Sequence, residues 1–235
     1  MPAHQPFYPP LPARYSDVKL QYVLFYATPV SVQAFLPEPL QATDDGLCVA
    51  AGIDVGACPN YGPFQETFLQ LRCRFRDQVG FYCSHVFHNG PTAIAAGREI
   101  YGTPKVYAEV RVSDDPARMV SRASLAGALV MEVSGDKQDP IGLSSLPEFS
   151  PSWRLKLIPR ADGPAPAIKQ LIDAAAATTD LAVQVARRGS GTVAFTNAGG
   201  YDLSPLAPTS YGGAYYIECS YSEGFARIAF DYLSG

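Results

Sequence analysis

The chain has little that would hold a polyanion. Its 18 Lys and Arg residues stand against 22 Asp and Glu, a formal net charge of −4, and no run of basic side chains occurs. A groove that tracks nucleic-acid phosphates needs such a run, so no nucleic-acid partner is expected. Long apolar stretches are missing too. No uncharged apolar segment reaches the roughly 18 residues of a membrane-spanning helix, and the opening MPAHQPFYPPLPARY lacks the apolar run of a secretion signal. A cytoplasmic protein with no membrane partner is therefore expected. The five cysteines (Cys48, Cys58, Cys73, Cys83 and Cys219) include no C-x-x-C pair, which excludes a closed zinc site and a dithiol redox motif. Buried free thiols explain them. G-x-S-x-G is absent and there are only three histidines, His4, His85 and His88, so a Ser/His/Asp hydrolase finds no support.

Hydrophobic residues make up 47% of the 235 positions, enough for one sizeable core, and nothing marks a linker, so residues 1–235 read as a single domain. With 20 Gly, 21 Pro, 14 Tyr and 12 Phe, the composition suits short strands and tight turns. Strand patterns cover residues 22–28, 47–53, 66–76, 79–87, 105–112, 119–125, 129–134, 153–158 and 227–233, with sharp turns at Asp77-Gln78 and Ala126-Gly127. Thr28-Pro29 supplies a cap and a first-turn proline for a short helix that stops at Pro37. Residues 168–175 read as a second helix, and residues 181–186 and 192–196 read as a hairpin around Arg188-Gly-Ser-Gly191. The expected class is α+β, mainly antiparallel β, with a closed or nearly closed barrel and few peripheral helices.

His85-Val-Phe-His88 near Cys83 suggests a metal site. Strand alternation argues against it, because Cys83, His85 and Phe87 would share one face and His88 the other. No metal is expected. Gly189-Ser-Gly191 lacks the Lys and the strand-to-helix setting of a phosphate loop, so turns suffice to explain it.

The chain has only five lysines, and one of them, Lys105, begins a strand directly after Gly102-Thr103-Pro104, among Tyr101, Val106 and Tyr107. A lysine at a strand's mouth between aromatic and apolar neighbours can be desolvated, which lowers its pKa and frees a nucleophilic amine. The plain alternative is a side chain that snorkels over apolar surface. Arg98 and Glu99 just before it could order the turn as a surface ion pair or address a substrate carboxylate.

The block Gly97-Arg-Glu-Ile-Tyr-Gly-Thr-Pro-Lys105 resembles the Schiff-base lysine motif of the acetoacetate decarboxylase superfamily. Weaker matches extend through Pro37-Glu-Pro-Leu40, Leu155-Lys-Leu-Ile-Pro159 and Arg227-Ile-Ala-Phe-Asp-Tyr-Leu233, so the resemblance spans nearly the whole chain. It implies a cone-like antiparallel barrel wrapped by further strands, a homo-oligomer, and an imine-forming lyase that acts on a small oxo compound without a cofactor. Lys105 takes the nucleophile's place and Glu66 that of the pocket glutamate. Arg98, Glu99 and Tyr101 take substrate-side positions. Two positions depart from the decarboxylases: Val106 stands where they carry a second lysine, and Ala27 where they carry a carboxylate-binding arginine. Together these imply slow decarboxylation of acetoacetate, with aldol or dehydratase chemistry, or a non-catalytic ligand barrel, as alternatives.

Overall fold

Alternating apolar side chains carry the chain through a long first strand in the computed structural model, which describes residues 9–234 and leaves His4 outside. β1 (Ala13–Tyr26) buries Tyr15, Val18, Val23 and Phe25 and is followed by α1 (Pro29–Ala34). The Thr28 hydroxyl accepts the Ser31 N–H at 3.2 Å, as the Thr-Pro pair predicts. A short β2 (Gln41–Ala42) leads into β3 (Leu47–Ala57), β4 (Phe64–Phe75) and β5 (Gln78–His88), which lie side by side and antiparallel. α2 (Pro91–Glu99) then crosses to β6 (Lys105–Tyr107), which runs parallel to β5.

A meander of β7 (Glu109–Asp114), β8 (Arg118–Leu125) and β9 (Ala128–Asp136) follows. After the two-residue β10 (Asp139–Pro140) come β11 (Ser152–Pro159), β12 (Pro166–Asp173), β13 (Thr178–Gly189) and β14 (Gly191–Phe195). A small ladder of β15 (Asn197–Ala198) and β16 (Tyr201–Asp202) precedes β17 (Ser210–Glu223) and β18 (Arg227–Asp231).

Hydrogen bonding joins β10-β13-β17-β1-β3-β4-β5-β11-β12-β18 in that order, with β2 and β6 on the side, into a twelve-stranded sheet; β14-β9-β8-β7 form a second, four-stranded one. The fold is thus mostly antiparallel β with few helices, as expected. The main core lies between the two sheets, where Phe25, Ala50 and Leu69 meet Ala123, Met131 and Val133. Each large side chain fully buried there contributes about 1.5–3 kcal/mol. The two sheets approach closely. A side chain at Gly52 would meet Ser121 at 2.3 Å, and Gln21 donates across the gap to the Val133 carbonyl at 3.1 Å.

Several local expectations are overturned. Residues 168–175 are not a helix: Ile168, Leu171 and Ile172 have helical spacing, but they pair with β11 on one side and, at Leu171 and Ile172, with β18 on the other. Ladder partners outweigh local propensity here. The hairpin at residues 181–196 also fails, because β13 pairs with β17 while β14 crosses to β9 in the other sheet. The strand at 105–112 breaks at Ala108 into β6 and β7, which belong to different sheets. β17 had no sequence counterpart. Its Gly212-Gly213 reads as a turn, but it forms an irregularity opposite Leu24 and Phe25, with Gly213 at φ +110°. No helix among the described residues is long and apolar enough to cross a membrane.

Candidate active site

One face of β1, β3, β4, β5, β13 and β17, closed by α2 and the start of β6 and β11, surrounds a cavity of about 410 Å³. α2 and the turn after it place its lysine. The helix begins at Pro91, whose missing N–H costs nothing in a first turn, and ends at Glu99. Gly102 then adopts φ +69° and reverses the chain. The Thr103 N–H returns to the Gly97 carbonyl at 2.9 Å, and the Lys105 N–H donates to the Thr103 carbonyl at 2.7 Å. Any side chain at Gly102 would strike the Lys156 backbone nitrogen at 2.5 Å, so the turn is pressed onto β11.

Lys105 extends over Gly97, where a Cβ would lie 2.8 Å from its Cδ and 2.9 Å from its Cε. Its Nζ reaches 3.1 Å from Glu66 Oε2 and 5.4 Å from the centre of the Phe64 ring. Both charged side chains are largely buried, 13% and 15% exposed. No acid neighbours Lys105 in the chain, but the resemblance named Glu66 as the pocket glutamate, and the fold brings it there from β4, 39 residues earlier.

The Glu66 carboxylate is further framed by His88, which faces it across the β4–β5 ladder with Nε2 3.7 Å from Oε2. Burial pushes His88 down to about 4, with the Lys105 charge lowering it further, so the ring is neutral near pH 7. Its Nδ1 accepts the Gly90 N–H at 2.7 Å, which assigns the proton to Nε2, toward Glu66. Burial alone would raise the Glu66 carboxyl. Lys105, His88 and Arg154 overcome it and hold the group below the usual carboxylate range.

His85 points the other way, stacking near Phe87 and meeting Phe35 and Tyr201 edge-on. The two histidines therefore lie on opposite faces, as alternation requires. Cys83, however, does not share the face of His85. It lines the cavity, because an irregularity in the ladder beside Ser84 shifts the alternation by one residue.

The other expected site residues separate. Tyr101 is buried and borders the cavity, but its hydroxyl donates to the Gly224 carbonyl at 2.7 Å. Arg98 and Glu99 are exposed and stand outside the cavity lining; the Arg98 guanidinium donates to the Lys105 carbonyl at 3.2 Å and so ties down the strand rather than facing a substrate. Ala27 is no pocket wall. It is buried in the main core at the end of β1, its N–H donating to the Gly46 carbonyl at 3.0 Å.

The cavity's second cation is Arg154 on β11, and its second carboxylate is Glu223 on β17, which accepts the Tyr15 hydroxyl at 3.0 Å. Neither residue was legible in advance. Alternation in Trp153-Arg-Leu-Lys-Leu157 sets Arg154 opposite Trp153, but which face meets the cavity depends on β11 running beside β5.

The sequence model of the acetoacetate decarboxylase (ADC) family matches residues 1–233. The chain belongs to the acetoacetate decarboxylase family. It is 26% identical to the acetoacetate decarboxylase of Chromobacterium violaceum over 99% of this chain and 94% of that one. Among solved structures, the acetoacetate decarboxylase of Legionella pneumophila superposes with a TM-score of 0.89 at 21% identity, covering 100% of this chain and 94% of the other. The enduracididine biosynthesis enzyme MppR, complexed with the condensation product of pyruvate and imidazole 4-carboxaldehyde, gives 0.82 at 19% identity over 97% and 93%. This acetoacetate decarboxylase family member is thus an enzyme of the decarboxylase-like kind. Ala27 lies outside the cavity lining, and a different arginine, Arg154, borders the cavity.

Gly97 provides a test of this acetoacetate decarboxylase-like cavity. Gly97→Ala forces only the flexible stem of Lys105 to move, while helix propensity favours alanine by about 1 kcal/mol. Melting temperature should hold or rise while turnover falls by ~10-fold or more, the outcome expected if the placement of Lys105 sets the rate. Undiminished turnover would show that Lys105 need not cross Gly97 to work.

Proposed function

We propose that the chain is a cofactor-independent Schiff-base lyase in which Lys105 forms an imine with a small oxo acid, the first reaction being loss of CO2 from a β-oxo acid. The observation that carries this is the 3.1 Å contact of Lys105 Nζ with Glu66 Oε2 inside a substrate-sized cavity. As the oxo group arrives, Glu66 takes a proton from the ammonium and the free amine attacks the carbonyl carbon. The carbinolamine loses water, its hydroxyl leaving with the proton held by Glu66, and a protonated imine remains. The electron pair of the C–COO⁻ bond moves into this iminium as CO2 departs, leaving an enamine. A proton from solvent water, relayed through Glu66, reaches the enamine carbon, and water then adds to the imine to release the ketone and restore the amine. His88, neutral and directed at Glu66, steadies the carboxylate through these transfers.

The Chromobacterium relative's name supports decarboxylation. A second use of the same imine, carbon–carbon bond formation or dehydration without loss of CO2, draws support from the condensation product held by MppR. Assembly as a homo-oligomer and action in the cytoplasm belong to the proposal. The test is to incubate the protein with acetoacetate, follow CO2, and reduce with borohydride before intact-mass measurement. Release of CO2 with a reduced adduct on the protein is expected. An adduct without CO2 would move the assignment to the second use, and neither would leave a ligand-binding barrel.

A further inference from the structure

Arg154 is the cavity's unspent charge. Lys105 is satisfied by Glu66, and Glu223 accepts the Tyr15 hydroxyl, yet the Arg154 Nε is buried without a hydrogen-bond partner and no carboxylate among the described residues forms an ion pair with the guanidinium. The guanidinium meets the Cys83 thiol, which burial raises to about 11 and so keeps neutral near pH 7. A guanidinium N–H shielded from water without a hydrogen-bond acceptor is costly, and a ligand that brings an anionic acceptor recovers part of that cost.

We propose that Arg154 binds the carboxylate of the oxo substrate and thereby selects oxo acids over neutral ketones. Two placements carry this. Arg154 borders the same cavity as Lys105 and Glu66, and its charge acts on Glu66, Cys83 and Tyr101. It also borders an adjoining chamber of about 210 Å³, lined by Tyr22, Val49, Phe68 and Phe149, which gives an apolar substrate tail somewhere to go. A planar guanidinium suits a carboxylate, offering two parallel donors.

The inference rests on the Schiff-base reading, and a kinetic consequence sharpens it. When the carboxylate leaves as neutral CO2 its charge disperses, so Arg154 holds the bound acid at least as firmly as the transition state. Its loss should therefore load on KM rather than kcat. Arg154→Met should raise the KM for acetoacetate about 30-fold or more, while kcat stays within a few-fold and Arg154→Lys recovers part of the loss. Borohydride trapping with methyl acetoacetate, which has the same skeleton without the charge, should be unchanged by Arg154→Met. Equal losses for the acid and its ester, or no loss for either, would overturn the assignment. A separate arm needs no imine: calorimetric binding of acetoacetate to Lys105→Arg, which keeps a cation opposite Glu66, should weaken by a similar factor in Lys105→Arg/Arg154→Met. A weakened arm with no wild-type adduct would sink the Schiff-base reading and leave the carboxylate site; unchanged binding would sink the carboxylate site.

Discussion

Lys105→Arg should abolish both turnover and the borohydride-trapped adduct while melting close to the unmodified protein. The reason lies in the pair it makes. Lys105 and Glu66 are both largely buried at 3.1 Å, and removing one partner of such a pair typically costs ~3–5 kcal/mol because the other is left as an uncompensated charge. Lys105→Ala would therefore confound loss of chemistry with loss of stability. Arginine keeps a cation opposite Glu66 but offers no amine that can attack a carbonyl, since its guanidinium stays protonated. Intact-mass measurement after reduction, with thermal melting alongside, separates the two effects. A Lys105→Arg protein that still releases CO2 would show that the lysine is not the nucleophile.

Glu66→Gln should behave differently, keeping the adduct but slowing turnover by ~10²–10⁴-fold, the usual share of general acid–base catalysis. Glutamine keeps the size and loses the proton-carrying oxygen. The affected steps are those in which a proton moves between nitrogen, carbon and carboxylate, so exchange of the methyl protons of acetone in deuterated water, followed by NMR, should slow in parallel. Slowed CO2 release with unaltered proton exchange would make Glu66 only a counter-ion for Lys105. The direction of the Glu66 shift matters here. Held below the usual carboxylate range by Lys105, His88 and Arg154, the group is ionised throughout the neutral range and ready to accept the ammonium proton.

Much of this was legible in the chain. Alternation and turn residues marked β3, β4, β5, β8 and β9 to within a few residues at each end, because a strand buried on one face must repeat every second residue. The turn chemistry around Gly102 placed Lys105 at the start of a strand, and Thr28-Pro29 marked α1. These are local matters, decided by sterics within a few bonds. What the residues could not announce was who meets whom. Ile168, Leu171 and Ile172 are equally at home on a helix or in a ladder, and only β11 and β18 on either side made them a strand. The irregularity beside Ser84 turned Cys83 into the cavity, since one extra residue reverses every later side chain. Arg98, close to Lys105 in sequence, faces solvent, whereas Arg154, 49 residues away, borders the cavity of Lys105 because β11 lies against β5. A site assembled from strands distant in the chain is fixed by long-range pairing. The sequence by itself determined the strand-rich class and singled out Lys105 and Glu66, because a short motif and its resemblance travel with the chain, whereas tertiary structure alone decided that these two meet at 3.1 Å and that Arg154, not Arg98, shares their cavity.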